Sequence, residues 1–228
     1  MSSCSSRVTV DYPPGSLHPE SPVSIVVHHL EDSRSQRILW MLEELGLDYE
    51  ITYYKRNPKT MLAPPELKQV HPLGKAPAVV HDGKVLVETG AVVEYFAELT
   101  GELGPPTPDD AQRWRQFLHY AEGSLMPPLL ALLVIGKLGP LGWPARKPLN
   151  KMFKVHLDWL ESELATRQWF AGDAFSAADV MMSFPMEAAG SRGAGLDAHP
   201  NIKGWLARIH ARPAYKTALE KGGPYAYA

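Results

Sequence analysis

The feature that most constrains the fold of this chain is a change in hydrophobic periodicity near residue 100. Between residues 23 and 100, short β-branched runs alternate with segments of helical spacing, whereas only helical spacing occurs beyond residue 108. The first half predicts the order strand, helix, strand, helix, strand, strand, helix. We therefore expect an α/β domain at residues 23–100, a linker at 101–108 and an all-helical domain at 109–228.

The α/β domain begins with a strand and a helix that follow one another directly. Residues 23–29 form a β-branched run that predicts a buried strand, and helical spacing begins at Ser33. This position makes Ser33 the expected N-cap of the helix, and Gly46 the expected C-cap. Residues 49–54 predict the second strand, which a right-handed strand-helix-strand connection makes parallel to the first.

The strongest short-range signal in the chain is a hairpin. Asp82-Gly83 separates two apolar runs, residues 78–80 and 85–87. Asp-Gly is a preferred pair for a two-residue turn, because both central residues of such a turn need positive φ.

The second half contains helical signals alone. Ser176 and Asp179 have the spacing of a capping box, which places a helix start after Ser176. The other expected helices are residues 114–133, with a bend at Pro127-Pro128, residues 152–164 and residues 202–210.

Composition excludes several classes of protein. A net charge of −2 gives no electrostatic case for binding nucleic acid or an anionic membrane. The single cysteine, Cys4, allows no disulfide framework, and no apolar run approaches the roughly 20 residues of a spanning helix. Residues 1–22 lack the apolar core of a secretory signal and predict a flexible leader. We expect a cytoplasmic protein with no metal site.

Three segments carry candidate chemistry. A hydroxyl at Ser33 is favoured as a helix cap, but it is also placed to donate a hydrogen bond to a thiolate. Pro77 lacks an amide donor and would leave the backbone of Ala76 free for a bound peptide, or it is an ordinary loop proline. Glu88 and Thr89, at a helix start, suit an ammonium and a carboxylate, or they serve only as a cap.

The order and spacing of these segments resemble the glutathione transferase family, and more closely its bacterial and fungal serine-type members. The resemblance runs from Val23 to about Tyr215. The segments that carry it are residues 33–40, 43–50, 65–67, 71–77, 86–91 and 175–179.

The resemblance implies a thioredoxin-like domain followed by an all-helical domain, with glutathione as the co-substrate and a homodimer as the assembly. The residues to which it gives roles are Ser33 for the sulfur, Ala76 and a cis Pro77 for the cysteinyl part, Glu88 and Thr89 for the γ-glutamyl end, and Lys75 for a terminal carboxylate. Ser35 and Arg34 are further candidates, and Ser35 is the alternative for the working hydroxyl if the helix start is placed wrongly.

The implied function is a transferase in which Ser33 stabilises the glutathione thiolate. The sulfur then attacks a small electrophile, or reduces an organic hydroperoxide, in an apolar pocket. The alternative is a transferase-like binding or regulatory protein with little turnover. His28 and His29 lie on opposite faces of the first strand, so at most one faces the ligand, and we expect a structural or solvated role for both.

Overall fold

A four-stranded sheet forms the centre of the first half in the computed structural model, which describes residues 24–191 and 195–227. The predicted leader at residues 1–22 lies outside the described residues. The strands are β1 (Ile25–Leu30), β2 (Glu50–Tyr54), β3 (Ala78–His81) and β4 (Lys84–Val87). Their order in the sheet is β2-β1-β3-β4, with β1 parallel to β2 and the other pairs antiparallel. The predicted parallel pair is confirmed, and the predicted hairpin makes the sheet mixed.

Three helices complete this half of the chain, in the predicted order. They are α1 (Gln36–Glu44), α2 (Leu67–Val70) and α3 (Thr89–Thr100). The amides of Gly46 and Leu47 donate to Glu43 and Leu42, at 3.3 and 3.1 Å, which is the Schellman pattern. The C-terminal stop of α1 is therefore where the sequence predicts it.

The predicted hairpin joins β3 to β4. Asp82 and Gly83 have φ values of 49° and 74°, as a turn of the I′ type requires, and Ala78 pairs with Val87 at the other end. Val79 is fully buried in the core between sheet and helices. The turn therefore fixes the register that brings the end of β4, and the start of α3, next to the loop before β3.

The described residues of the second half form helices joined by loops and no strand, as predicted. Its helices are α4 (Ala111–Tyr120), α5 (Met126–Lys137), α6 (Trp143–Ala165), α7 (Ala177–Ser191), α8 (Pro200–Ala211) and α9 (Pro213–Gly222). Helix α6 begins earlier than predicted, because Pro144 lies in its first turn, where an amide has no intrahelical partner. Helix α9 was not predicted.

The connection between α4 and α5 is π-helical over Ala121–Leu125, directly before Pro127 and Pro128. Prolines lack the amide that regular helical bonding needs, so the interruption lies where the sequence places a bend. By length and composition the helical run Pro108–Lys137 would suffice to cross a membrane. The core helices of soluble proteins meet the same criterion, and the expectation of no membrane span stays a prediction.

A buried carboxylate ties α7 to its surroundings. Asp179 accepts hydrogen bonds from the amides of Ser176 and Phe170, each at 3.1 Å, and from the indole of Trp205 at 2.9 Å. The hydroxyl of Ser176 accepts from the amide of Ala178 at 3.3 Å, which completes the predicted capping box. Burial raises the pKa of Asp179 to about 6. Because Trp205 lies in α8, this carboxylate joins two helices as well as capping one.

We expect Asp179→Ala to lower the free energy of unfolding by about 3 kcal/mol, because it leaves the buried N–H groups of Phe170 and Trp205 without an acceptor. Urea unfolding measures the change. Asp173→Ala removes an exposed carboxylate from the loop before α7 and should stay within about 0.5 kcal/mol of the parent.

The pH dependence of the Asp179→Ala effect has a definite sign. The folded-state pKa lies above the ordinary value of 3.8, so the native state binds more protons than the unfolded state between about pH 4 and pH 6. The contribution of Asp179 to stability falls as pH rises through this interval. Equal stability of the Asp179→Ala and Asp173→Ala variants at every pH would contradict the structural role.

Candidate functional site

A cleft between the sheet and the helical half collects six of the eight residues that the sequence singles out. Its volume is about 310 Å³, at the lower end of what small-molecule sites require. Its lining comprises Arg34, His71, Leu73, Lys75, Ala76, Pro77, Val87, Glu88, Thr89 and Glu122. A larger cavity of about 440 Å³ lies beside the linker, and it contains none of the predicted residues. The smaller cleft is therefore the candidate site.

The loop before β3 forms one wall of the cleft. The peptide bond between Ala76 and Pro77 is cis, as the resemblance implies. Pairing of β3 with its neighbours begins at Ala78, so Ala76 lies beyond the ladder. Lys75, the preceding residue, is exposed. This wall therefore presents backbone at Ala76 and a cationic side chain at Lys75 to the cleft.

The start of α3 forms a second wall of the cleft. Glu88 has a φ of 68°, which is uncommon for a residue with a side chain, and such backbone conformations concentrate at ligand sites. Its exposed carboxylate makes no capping hydrogen bond. Thr89 is buried in the first turn, where amide groups and the helix dipole favour an anion. The wall thus offers a carboxylate beside an anion-binding helix end.

Ser33 and Ser35 do not line the cleft. Both are buried, with 5% and 0% of their surface exposed. The Ser33 Oγ accepts from the amide of Ser35 at 3.2 Å and lies 2.6 Å from the Ser35 Oγ. The Ser35 Oγ in turn lies 2.9 Å from Nδ1 of His29 and accepts from the amide of Leu30 at 3.2 Å. The two hydroxyls therefore belong to a buried hydrogen-bonded chain next to Arg34.

The prediction that Ser33 is the N-cap of the first helix is wrong. Helix α1 begins at Gln36, its N-cap position is Ser35, and Ser35 makes no capping side-chain bond. Ser33 instead uses its hydroxyl to accept from an amide two residues on, a local turn that competes with the helix for this donor. The turn holds residues 33–35 outside the regular helix.

Glu122 is a residue of the site that the sequence reasoning missed. Its carboxylate accepts from Nε of Arg34 at 2.9 and 3.0 Å and is also bound by Arg37. Arg37 is 1% exposed and donates with its other terminal nitrogen to the Met181 carbonyl at 2.7 Å. Burial alone would raise the pKa of Glu122, but the guanidinium groups of Arg37 and Arg34 outweigh it and hold the pKa below its usual range.

A sequence signal for Glu122 exists, although it is weak. Glu122 is the only residue among Asp, Glu, Lys and Arg between Arg115 and Lys137, so it is a lone charge in an apolar stretch. It also lies in the π-helical segment, and such segments are frequent at functional sites. Its partners are 85 and 88 residues away, so no local pattern could identify them.

Both halves of the chain match sequence profiles of one family. The profile described as "Glutathione S-transferase, N-terminal domain" matches residues 22–98, and "Glutathione S-transferase, C-terminal domain" matches residues 145–213. The cleft residues of the first half fall within the first match.

Individual proteins support the same family. Glutathione S-transferase 3 of Schizosaccharomyces pombe is 36% identical, over 86% of this chain and 87% of the relative. A glutathione S-transferase from Actinobacillus pleuropneumoniae superposes with a TM-score of 0.79 at 33% identity, over 89% of this chain and 94% of the other. A glutathione transferase family member from Pseudomonas fluorescens, solved with two glutathione bound, has a TM-score of 0.76 at 25% identity, over 88% and 94%.

We expect Glu122→Gln to lower the free energy of unfolding by about 2 kcal/mol, because it leaves the guanidinium of buried Arg37 without a negative partner. The figure is below that of a fully buried pair, since 32% of the Glu122 side chain is exposed. Chemical unfolding at neutral pH measures it. Lys203→Ala, which breaks an exposed ion pair with Asp197, should cost under about 1 kcal/mol.

The pH dependence of the Glu122 contribution follows from its lowered pKa. The stabilisation is present above the ordinary value of 4.5 and is lost as pH falls through the lower folded-state pKa. The gap between parent and Glu122→Gln should therefore close as the solution is acidified. A gap that widens in acid would refute this account of the pair.

Proposed function

The chain belongs to the glutathione S-transferase family, and from this premise we propose that it is a glutathione transferase with glutathione as co-substrate. The observation that carries the proposal is the meeting of the Ala76-Pro77 loop and the start of α3 at one cleft, beside the turn that holds Ser33. In this proposal residues 23–100 are the glutathione-binding domain, 101–108 the linker and 109–228 the helical domain. The low cysteine content supports a cytoplasmic location.

Glutathione lies along the cleft in this proposal. The start of α3 and the hydroxyl of Thr89 bind the carboxylate of the γ-glutamyl residue, and Glu88 binds its ammonium. The backbone of Ala76 pairs with the cysteinyl part in an extended arrangement, as peptides pair with exposed strand ends. Lys75 meets the terminal carboxylate. The exposure of Glu88 and Lys75, and the positive φ of Glu88, support these roles.

The chemistry proposed is of the serine type. Ser33 donates its hydroxyl hydrogen to the glutathione sulfur and stabilises the thiolate. The sulfur then forms a bond to an electrophilic carbon, and the leaving group departs with its bonding electrons. Reduction of an organic hydroperoxide would begin from the same thiolate.

The hydrogen bonds of the two serines support Ser33 over Ser35 as the working hydroxyl. The Ser35 Oγ is within hydrogen-bond distance of His29, Ser33 and both backbone groups of Leu30, which uses its full capacity. The Ser33 Oγ has only the amide and hydroxyl of Ser35 as partners among the described residues. Ser33 therefore keeps a lone pair for the thiol of a ligand.

Exposed apolar side chains on the helical half support the two remaining parts of the proposal, an apolar second substrate and a homodimer. Leu130 and Val134 in α5, and Leu138 directly after its end, recur at every fourth residue and are each more than half exposed. Leu141 and Trp143 extend the apolar surface to the start of α6. Exposed apolar side chains grouped in this way are typical of binding sites for apolar molecules or protein chains.

Ser33→Ala should raise the pKa of bound glutathione by about 1–2 units and reduce kcat/KM at neutral pH about 10–100-fold. The reason is that a hydrogen bond to a charged group is worth about 1.5–3 kcal/mol. A panel of electrophiles and hydroperoxides gives the rates, and ultraviolet titration gives the thiol pKa. Ser162→Ala, an exposed helical serine whose hydroxyl bonds to the Trp159 carbonyl, is the matched control.

Two outcomes would contradict parts of this proposal. A Ser33→Ala variant with full rate and an unmoved thiol pKa would exclude the serine mechanism. A parent protein that binds glutathione but turns over nothing on the panel would favour the binding or regulatory alternative.

Glutathione binding should weaken about tenfold for Thr89→Val and for Glu88→Gln, since each removes one polar contact to the γ-glutamyl end. Isothermal titration calorimetry measures the dissociation constants. Glu98→Gln, which neutralises an exposed carboxylate on the same helix, should bind as the parent does. If all three variants bind equally well, the γ-glutamyl end lies elsewhere.

A further inference from the structure

A hydrogen-bonded chain runs inward from Ser33 to the last turn of α9. The Ser33 Oγ lies 2.6 Å from the Ser35 Oγ, which lies 2.9 Å from Nδ1 of His29. The Nε2 atom of His29 lies 3.1 Å from the carbonyl oxygen of Gly222. All three side chains are buried, and His29 is 2% exposed. These hydrogen bonds thus link the hydroxyl of the proposed site to an imidazole that solvent does not reach.

The carbonyl of Gly222 fixes the tautomer of His29. A carbonyl oxygen only accepts, so Nε2 must carry a hydrogen, and in the neutral ring Nδ1 must then accept. Nδ1 at 2.9 Å and the Leu30 carbonyl at 3.3 Å compete for the single hydrogen of Ser35, and the shorter contact assigns it to Nδ1. The hydroxyl of Ser33 then donates to Ser35. With His29 neutral, the hydrogen of Ser33 points into the protein and is not available to a thiolate.

The Ser33 Oγ has hydrogen-bonding capacity left with which to accept a proton. Its oxygen accepts from the amide of Ser35 at 3.2 Å and retains one lone pair, to which a thiol S–H can donate. The Ser33 hydrogen would turn toward the sulfur only if every hydrogen bond from Ser33 to His29 reversed its direction. Reversal requires a proton on Nδ1 of His29.

We propose that His29 is the internal acceptor of the proton that the glutathione thiol loses, with Ser33 and Ser35 as the relay. This inference rests on the proposed function. The thiol proton passes to the Ser33 Oγ, the Ser33 hydrogen to the Ser35 Oγ, and the Ser35 hydrogen to Nδ1. The result is a thiolate that accepts from Ser33 and an imidazolium that donates to Ser35 and Gly222. When the sulfur has reacted, the reverse shift returns one proton to the leaving group or to water.

The surroundings of His29 suit a base that is neutral until the thiolate forms. Burial lowers the pKa of His29, and the bond to Gly222 opposes this effect. From β2 the facing titratable group is Tyr53, whose ring lies edge-on at 5.9 Å and whose hydroxyl donates to the Lys221 carbonyl. From α9 the ammonium of Lys221 is bound by Glu43.

No carboxylate among the described residues is hydrogen-bonded to His29. The thiolate is therefore the negative charge that stabilises the imidazolium, so ionisation of the thiol and protonation of His29 favour one another. Coupling of this kind makes proton retention the measurable signature of the relay.

The test is the number of protons released for each thiolate formed. Glutathione is mixed with the full-length protein near pH 7 in weak buffer, with a pH indicator for released protons and ultraviolet absorbance for the thiolate. The parent should release well under one proton per thiolate. His29→Asn keeps an acceptor for Ser35 but has no base, and it should release about one proton per thiolate with kcat/KM reduced about tenfold.

Two further variants serve as a control and as a second test of the relay. His28→Asn is the matched control, because His28 lies on the opposite face of β1, bound to the Tyr54 hydroxyl, and should behave as the parent. Ser35→Ala interrupts the relay with His29 intact, and it should also release about one proton per thiolate. It provides the test if His29→Asn does not fold, which circular dichroism reports.

The outcomes separate this inference from the function on which it rests. If the parent forms no thiolate with glutathione, the proposed function fails. Suppose instead that the thiolate forms and depends on Ser33. If the parent then releases a full proton per thiolate, or if His29→Asn keeps the parent's number of protons released per thiolate and its pH profile, only the role of His29 is overturned.

Discussion

The burial of the first seven residues of helix α1 is the constraint on which the rest of the structure depends. Every residue from Gln36 to Leu42 is buried, although two of them are polar. Buried polar groups cost free energy unless they are paired, and the partners of these two come from the helical half. Gln36 donates to the Ala218 carbonyl at 2.8 Å, and Arg37 binds Glu122 and the Met181 carbonyl. The two halves are therefore joined by obligatory contacts around one helix.

Helix α1 positions the residues of the candidate site. The turn at residues 33–35 is held at one end by α1 and at the other by β1, whose Leu30 and His29 bind Ser35. Arg34, in the middle of the turn, shares Glu122 with Arg37. The carboxylate that satisfies a buried arginine thus also positions a residue of the cleft. Stability and the site depend on the same ion pair, so changes at Glu122 should affect both.

The parts of the structure that the sequence predicts are those with local causes. The hairpin at Asp82-Gly83 and the capping box at Ser176 follow from interactions within a few residues, and both are present. The start of α1 was misplaced because Ser33 has two local options, a cap and a turn, and periodicity does not distinguish them. Glu122 and His29 have partners more than 80 and 190 residues away, at Arg37 and Gly222, which only tertiary packing brings together.

Gly222 connects this packing to the chemistry of the chain. A Cβ at Gly222 would lie 2.3 Å from Oε1 of Gln36 and 3.0 Å from Cδ1 of Leu39, so a side chain here would force these buried side chains, or the end of α9, to shift. The close approach of α9 to α1 also brings the Gly222 carbonyl to Nε2 of His29, and that contact fixes which ring nitrogen accepts from Ser35. The direction of the hydroxyl hydrogen of Ser33 is therefore determined by a backbone contact at the far end of the sequence. A serine with the same local turn, but without the histidine and the glycine, would have no such fixed direction.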